Sequence, residues 1–499
     1  MSTERPLGGE GPIPGTVDTY GADAVRLEAL TASLRTLFQR YGFTPVVPPI
    51  LESAVPFLDR SGEDIRRHMY IFTDPGGREL CLRPELTIPA VGLYGRRPAS
   101  AGDELRAYYI GPAFRFDAPV DGGARQLTHA GIEVLGVADT ALADAEVLAV
   151  ARASLVEHGV RPGRLVVSDI GFLQAAVASE LLSDRTRAAL ARAAGDPDDL
   201  AAVLDRAAQG PAEPDEGSEL DALVAQLPAA MRAELLDRII GGLEPEALGV
   251  RTAEEIAERL VTRSTARPVE PVPEVVDRVL RALLAVELPL VEGLDRVAAL
   301  AEEIASPALA TLVASWRGRV EMIAAYGIDP ATVTLRLGLR RGIDYYTSFI
   351  FEIEDPAAAG DPLCAGGRYD ELVGRLTGRD AVTGVGFGLS VEHLLPLTAP
   401  TPEPTPTVVA VVVGADGSVP ATECVAVASA LRAAGLACRL AVGSEPGAAG
   451  EAAAAEGIPL SVVVGTAGSP LTVVGLRTNV LRETTLATVA ATVREALDG

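Results

Sequence analysis

The segments LRRGIDYYTSFIFE (339–352) and CAGGRYDEL (364–372) are strand-like runs in which charged and tyrosyl side chains interrupt an apolar pattern. Two stretches nearer the N-terminus do the same: LRPELT (82–87) and GPAFRFDAPVDGGARQLTHAGIEVLG (111–136). Taken singly, an arginine in a strand is more often a salt-bridge partner than a ligand. Gly366-Gly367 is likewise more often a turn than a phosphate cradle. Together the four segments would bring Glu85, Arg115, Arg125, Glu133, Arg341 and Asp344 into one region. Buried charges need partners or a ligand. Carboxylates, guanidinium groups and tyrosines in one place suit a zwitterion, the acids taking an ammonium and the arginines a carboxylate or phosphate.

Outward from these segments the chain reads as α+β. Residues 22–41 predict an amphipathic helix, with Val25, Leu27, Leu30, Leu34, Leu37 and Phe38 at roughly helical spacing and Gly42 as a stop. FTPVVPPILE (43–52) reads as a strand that Pro48 and Pro49 confine to an edge or interface. Short strands and turns alternate from there to Leu135, among them MYIFTD, ELCLRPEL and AYYIGPAFRF. Asp139 is a candidate N-cap for a helix reaching Val160. Residues 172–330 are rich in Ala, Leu, Glu, Asp and Arg with helical periodicity, broken by GPAEPDEGSE (210–219), and read as a helical insert. Strands return at TLRLGL and YYTSFIFEI, and again before a helix at SVEHLLPL. TAPTPEPTPT (398–407) predicts a stiff, extended linker. Four strands and three helices then alternate as a small α/β domain. The expected divisions are therefore 1–171, 172–330, 331–397, 398–407 and 408–499.

A chain of 499 residues accommodates two to four domains. Hydrophobic content of 48% with 22% charged residues is ordinary for a globular protein. No apolar run is long enough to predict a membrane span, and no signal pattern opens the chain, so a cytoplasmic location is expected. Cys81, Cys364, Cys424 and Cys438 form no C-x-x-C pair, and the four histidines are dispersed; neither a disulfide framework nor a metal site is expected. Net charge is −25, and all 43 basic residues are arginine. Such a chain repels nucleic acid at long range unless one face concentrates its arginines.

The pieces FRFDAP, VDGGARQ, GIEVLG, RRGIDYY, CAGGRYDEL and GVGFGLSVEH stand in an order that resembles histidyl-tRNA synthetases. They equally resemble that family's non-ligase relative, the regulatory subunit of ATP phosphoribosyltransferase. The resemblance covers most of 15–170 and 335–400, and more loosely the last 90 residues. It implies a class II aminoacyl-tRNA synthetase-like antiparallel sheet with flanking helices, a helical insert and a C-terminal α/β domain like an anticodon-binding domain. It also implies site residues. Glu85 and Thr87 match positions that hold the histidine ammonium group, Glu133 and Tyr346 those that read the imidazole, and Tyr369 lies in the matching GGRYD segment. Arg341 matches the arginine set against the histidine carboxylate and the α-phosphate. Arg125, His129 and Tyr345 complete the substrate set, His129 standing where the synthetases carry glutamine.

On the ATP side, Arg115 matches the arginine that grips the α-phosphate, with Asp117, Leu127 and His393 as the rest of a degenerate subsite. Leu127 replaces an aromatic and His393 an arginine that would sandwich adenine. Two stacking losses of about 1–3 kcal/mol each would weaken ATP by on the order of a hundredfold. LRPELTIPA and the run SDIGFLQAAVASELL resemble the regulatory form, whereas the C-terminal domain resembles the synthetases. That domain carries only Arg432, Arg439, Arg477, Arg482 and Arg494, a sparse set for tRNA. The resemblance thus implies a homodimeric, histidine-binding regulatory subunit without cofactor, whose partner is the ATP phosphoribosyltransferase catalytic subunit. The alternative is an enzyme, a histidine–tRNA ligase or a paralogue activating an amino acid for another acceptor. Arg115 and Arg341 would then be catalytic, and ATP with Mg required.

Overall fold

A computed structural model describes residues 13–58, 68–98, 104–116, 124–209, 271–339, 345–355, 357, 362–379, 382–398, 408–416, 418–441, 444–466, 469–478 and 480–498. The chain divides into two compact units, residues 1–399 and 400–499. In the first unit the strands are β1 (Thr44–Pro45), β2 (Leu51–Ser53), β3 (Tyr70–Thr73), β4 (Glu79–Leu82), β5 (Leu105–Phe114) and β6 (Gln126–Leu135). They continue as β7 (Leu165–Asp169), β8 (Glu287–Pro289), β9 (Val333–Arg336), β10 (Phe349–Ile353), β11 (Cys364–Arg368) and β12 (Gly384–Ser390).

Nine of these strands form one sheet in the order β1-β5-β6-β12-β11-β10-β7-β9-β8, and β2-β4-β3 form a small second sheet. The large sheet is antiparallel except at two pairs, β1 with β5 and β7 with β9. Period-two alternation assigns its faces. Ala130, Ile132 and Val134 of β6, Val385, Phe387 and Leu389 of β12, and Phe349, Phe351 and Ile353 of β10 all enter one core. Helices Gly21–Arg40, Thr140–Val156, Glu274–Leu284, Leu290–Glu303 and Pro307–Ala325 cover that face. The intervening residues of the same strands point the other way, where the shorter helices Thr87–Arg96 and Asp370–Thr377 pack beside them; this is the face that carries the site.

Local signals placed several helices well. Gly21–Arg40 buries Leu30, Leu34, Leu37 and Phe38, and Gly42 follows at φ +83°. The Asp139 carboxylate accepts from the Leu142 N–H, capping Thr140–Val156. Elsewhere the reading is corrected. ELCLRPEL is not one strand, because β4 ends at Leu82 and the chain turns through Glu85 into the helix Thr87–Arg96. FTPVVPPILE holds only the short β1 and β2, since the prolines between them lack ladder donors. Of the stretch 172–330, the described parts are helical apart from β8, which closes one edge of the large sheet. The loop expected at 210–219 and nearly all of the linker at 398–407 lie outside the described residues.

The second unit is a five-stranded sheet, β14-β13-β15-β16-β17. Its strands are β13 (Ala410–Gly414), β14 (Cys438–Leu440), β15 (Leu460–Val464), β16 (Leu471–Gly475) and β17 (Leu481–Thr484). β13 is wholly buried between helices, as an uninterrupted apolar run predicts. β17, an exposed edge strand of sequence LRET, carries no apolar alternation and is missing from the sequence reading. Among the described residues no helix is long and apolar enough to cross a membrane.

Candidate functional site

The site is made possible by what β12 lacks. Gly384, Gly386 and Gly388 alternate with core residues and face the opposite side of the sheet. A methyl group on Gly386 would lie 1.7 Å from a Glu133 carboxylate oxygen, and one on Gly388 2.0 Å from His129 Nε2. On Gly384 it would meet the Tyr369 ring at 2.7 Å. Three glycines of one strand therefore clear the volume that three polar side chains occupy.

Within that volume Glu133 is completely buried. Tyr109 donates its hydroxyl proton to one carboxylate oxygen at 3.0 Å, and Tyr369 donates to the other. The Thr87 hydroxyl stands 3.2 Å from that of Tyr109. Beside it the buried Glu85 carboxylate accepts from the backbone N–H groups of Thr87 and of Ile88, the latter at 2.9 Å. This closes the first turn of the helix Thr87–Arg96. Burial raises the pKa of both acids: Glu133 is pushed up to about 8, and Glu85 upward as well, with the Ile88 and Thr87 hydrogen bonds and then Arg115 drawing it partly back. The neighbouring Glu85 carboxylate adds to the rise at Glu133. Among the described residues neither forms an ion pair. Tyr345 is buried between Tyr346 and Tyr369, with ring centroids 5.1 and 5.8 Å away. Gly367 gives Tyr346 its place, since a methyl there would lie 2.8 Å from the ring.

Further out along β6 the residues are looser. His129 lies on the same face, tilted against Tyr109 at 5.3 Å. Its Nδ1 is buried without a hydrogen-bond partner among the described residues, and burial with the nearby Arg115 and Arg83 lowers its pKa to about 3, so the ring is neutral. Leu127 packs with Leu86, Ala90, Tyr109 and Ala113. Arg115 is exposed and reaches the Pro84 carbonyl at 3.3 Å, whereas Arg125 lies over the Phe116 ring at 4.8 Å. His393 is exposed on the short helix Val391–Leu394. Its neighbour Glu392 takes both the N–H and the hydroxyl of Thr128, at 2.9 and 2.7 Å, which ties that helix to β6.

The structure thus gathers Glu85, Thr87, Glu133, Tyr345, Tyr346 and Tyr369 around one volume, with His129 at its rim. Asp117, Arg341 and Asp344 lie outside the described residues. Sequence reasoning missed Tyr109, which links Thr87 to Glu133. The signal was available: in AYYIGP, Tyr108 and Ile110 read as core, which turns Tyr109 to the opposite face. It also undervalued GVGFG, whose spacing mirrors the polar positions opposite.

A family-wide sequence profile described as histidyl-tRNA synthetase matches residues 15–239 and 246–394. An ATP phosphoribosyltransferase regulatory subunit of Mesorhizobium japonicum is 34% identical over 384 residues, covering 76% of this chain and 99% of its own length. A histidine–tRNA ligase of Pyrococcus horikoshii is 28% identical, covering 77% of this chain and 74% of its own. Among solved structures, one described as an ATP phosphoribosyltransferase regulatory subunit/histidyl-tRNA synthetase from Bacillus halodurans superposes with a TM-score of 0.61. It is 19% identical and covers 93% of this chain and all of its own, a likeness of fold.

Proposed function

Because this chain belongs to the histidyl-tRNA synthetase family, we propose that it binds free histidine and acts as the regulatory subunit of an ATP phosphoribosyltransferase. The observation that carries the reading is a pair of buried carboxylates, Glu85 and Glu133, held by neutral donors and without a basic partner among the described residues. Such acids call for a ligand with two cationic or proton-donating ends. Histidine has them: its ammonium goes to Glu85 and Thr87, its imidazole to Glu133, and its carboxylate to Arg341. Tyr109 and Tyr369 hold the Glu133 oxygens toward the ring, and Tyr345 with Tyr346 walls the pocket.

The ATP side supports a chain that binds without activating. Leu127 is spent on an apolar cluster and offers no ring face, and His393, exposed on the surface, offers no guanidinium for adenine. The profile match ends at 394 and the second unit starts at 400. That unit is sparse in arginine, which favours a dimer-stabilising or vestigial role over reading tRNA. A second copy of the chain is expected to pair through the helix Gly21–Arg40 and the segment VVPPILE (46–52), where Val47, Ile50 and Leu51 are exposed.

One observation favours a second reading, an amino-acid-activating enzyme: Arg115 leaves a guanidinium at the mouth of the pocket. ATP and Mg would then be required. The experiment is calorimetry with histidine, then co-purification with a short ATP phosphoribosyltransferase catalytic chain from the same organism, assayed with and without histidine. Binding with histidine-dependent inhibition supports the regulatory reading. Histidine-dependent exchange of pyrophosphate into ATP at enzymatic rates overturns it in favour of the second.

A further inference from the structure

Asp370 follows Tyr369 in CAGGRYDEL and opens the helix Asp370–Thr377. Its side chain is 39% exposed and stands outside the pocket, yet it fixes both flanks of Tyr369. One carboxylate oxygen accepts the Gly384 N–H at 2.7 Å and the Arg368 guanidinium at 3.0 Å. The Gly384 carbonyl in turn accepts the Tyr369 N–H at 2.8 Å. Both backbone polar groups of Gly384 are therefore taken by the Tyr369-Asp370 pair, which locks the first residue of β12 to the first turn of the helix.

The lock matters because of what hangs from it. The Tyr369 ring lies against Gly384, and its hydroxyl donates to Glu133. Two residues along the same strand, Gly386 leaves the volume that the Glu133 carboxylate fills. On the other flank, the Arg368 guanidinium is held from the core side by Asp144, at 3.0 Å from Nε, and from the pocket side by Asp370. The Arg368 carbonyl accepts both the N–H and the hydroxyl of Thr347, at 2.8 and 3.3 Å, and so steadies the neighbouring Tyr346. One oxygen of Asp370 thus sets the spacing between Tyr369 and β12 and braces the strand end behind Tyr346. A group that touches a ligand must be held to within about 0.5 Å by neighbours that do not touch it, and a hydrogen bond weakens steeply once its geometry is lost.

We propose that Asp370 is a positioning residue for the ligand: through Gly384 and Arg368 it holds the Tyr369 hydroxyl on Glu133, and so orients the carboxylate that takes the imidazole ring. This rests on the reading of the pocket as a histidine site. The test is calorimetry with histidine on the full-length wild type, Asp370→Ala, Tyr369→Phe and the double variant. Asp370→Ala should weaken histidine about tenfold. It should add less than about twofold once Tyr369→Phe has removed the hydroxyl through which it acts. Asp370→Asn keeps an oxygen for the Gly384 N–H and should stay within about threefold of the wild type. Equal weakening by Asp370→Ala in both backgrounds is what general loosening of the fold gives, and it overturns the proposal. Wild-type affinity in Asp370→Ala overturns it too. Urea unfolding accompanies each variant. If Asp370→Ala does not fold, Asp370→Glu, which keeps a charge for Arg368 but moves the oxygen off Gly384, takes its place with the same expected outcomes. No histidine binding by the wild type removes the histidine reading and this proposal with it. Binding that Glu133→Gln weakens and Asp370→Ala does not removes this proposal alone.

Discussion

The large sheet carries a buried polar network on each face, and the two are built on opposite terms. Under the helices, Asp144 is almost fully buried between Arg319, at 2.7 Å, and Arg368 of β11. Arg368 also reaches Asp370 at 3.0 Å. Acid and base are matched within the fold, and nothing is left for a ligand. On the other face Glu133 and Glu85 are as deeply buried but receive only hydroxyl and backbone N–H donors. Both acids are biased toward their protonated forms. Arg368 and Tyr369 are adjacent in one motif, yet alternation sends one into the matched network and the other into the unmatched one. A buried charge completed internally is structural; one left incomplete marks where a ligand is expected.

Breaking the matched side should have the largest effect. Asp144→Ala leaves the buried Arg319 without its acid and Arg368 with only the more exposed Asp370, and should cost about 3–5 kcal/mol of stability, read from urea unfolding. If stability falls by less than a third of that, the network is not the structural element described. On the unmatched side, Gly386→Ala forces a methyl into the Glu133 carboxylate and the Ile132 carbonyl. It should lose about 1–3 kcal/mol of stability and all measurable histidine binding. Retained binding would show that β12 can shift to make room.

Glu133→Gln separates the two networks most cleanly, weakening histidine by about 1.5–3 kcal/mol, roughly ten- to a hundredfold, without destabilising the chain. Its pH signature is directional. The Glu133 pKa rises from 4.5 to about 8 on folding, so the folded state holds the extra proton and stability is lost as pH rises through that window. His129 falls from 6.5 to about 3, so its contribution is lost instead as pH falls through its own window. Between 4.5 and 6.5 the two oppose each other; from 6.5 to 8 the Glu133 loss stands without that opposition. Glu133→Gln should remove this component, and a stability curve identical to wild type from pH 6.5 to 8 would refute the assignment. The smallest effect belongs to the outer rim: Leu127→Phe with His393→Arg should strengthen ATP binding by about 1 kcal/mol, roughly fivefold. A titration with no gain would place adenine elsewhere.

Much of the fold was legible because its signals are local. The helix Gly21–Arg40, the Asp139 cap and the apolar run of β13 follow from spacing and capping within a few residues. The helix Thr87–Arg96 was not legible, because its start is set by the Glu85 side chain capping from a turn within an apolar run. β17 was not either: an exposed edge strand holds its place by pairing with β16 and has no face to pattern. Of the site, Glu85, Thr87, Glu133 and Tyr369 were singled out by motif, and the structure places them together.

By itself, then, the sequence determined the alternating strands, the motif order that marks the family, and the residue types of the pocket, all of them properties of neighbouring residues or their spacing. It also determined the excess of acid over base and the absence of lysine. Only the tertiary structure decided which buried acids find a base. Asp144 meets Arg319 and Arg368 across 175 and 224 residues, and Glu133 meets Tyr369 across 236. The glycines of GVGFG acquire their meaning in the same way, since the volume they leave open is measured against side chains on other strands, and no local pattern encodes that distance.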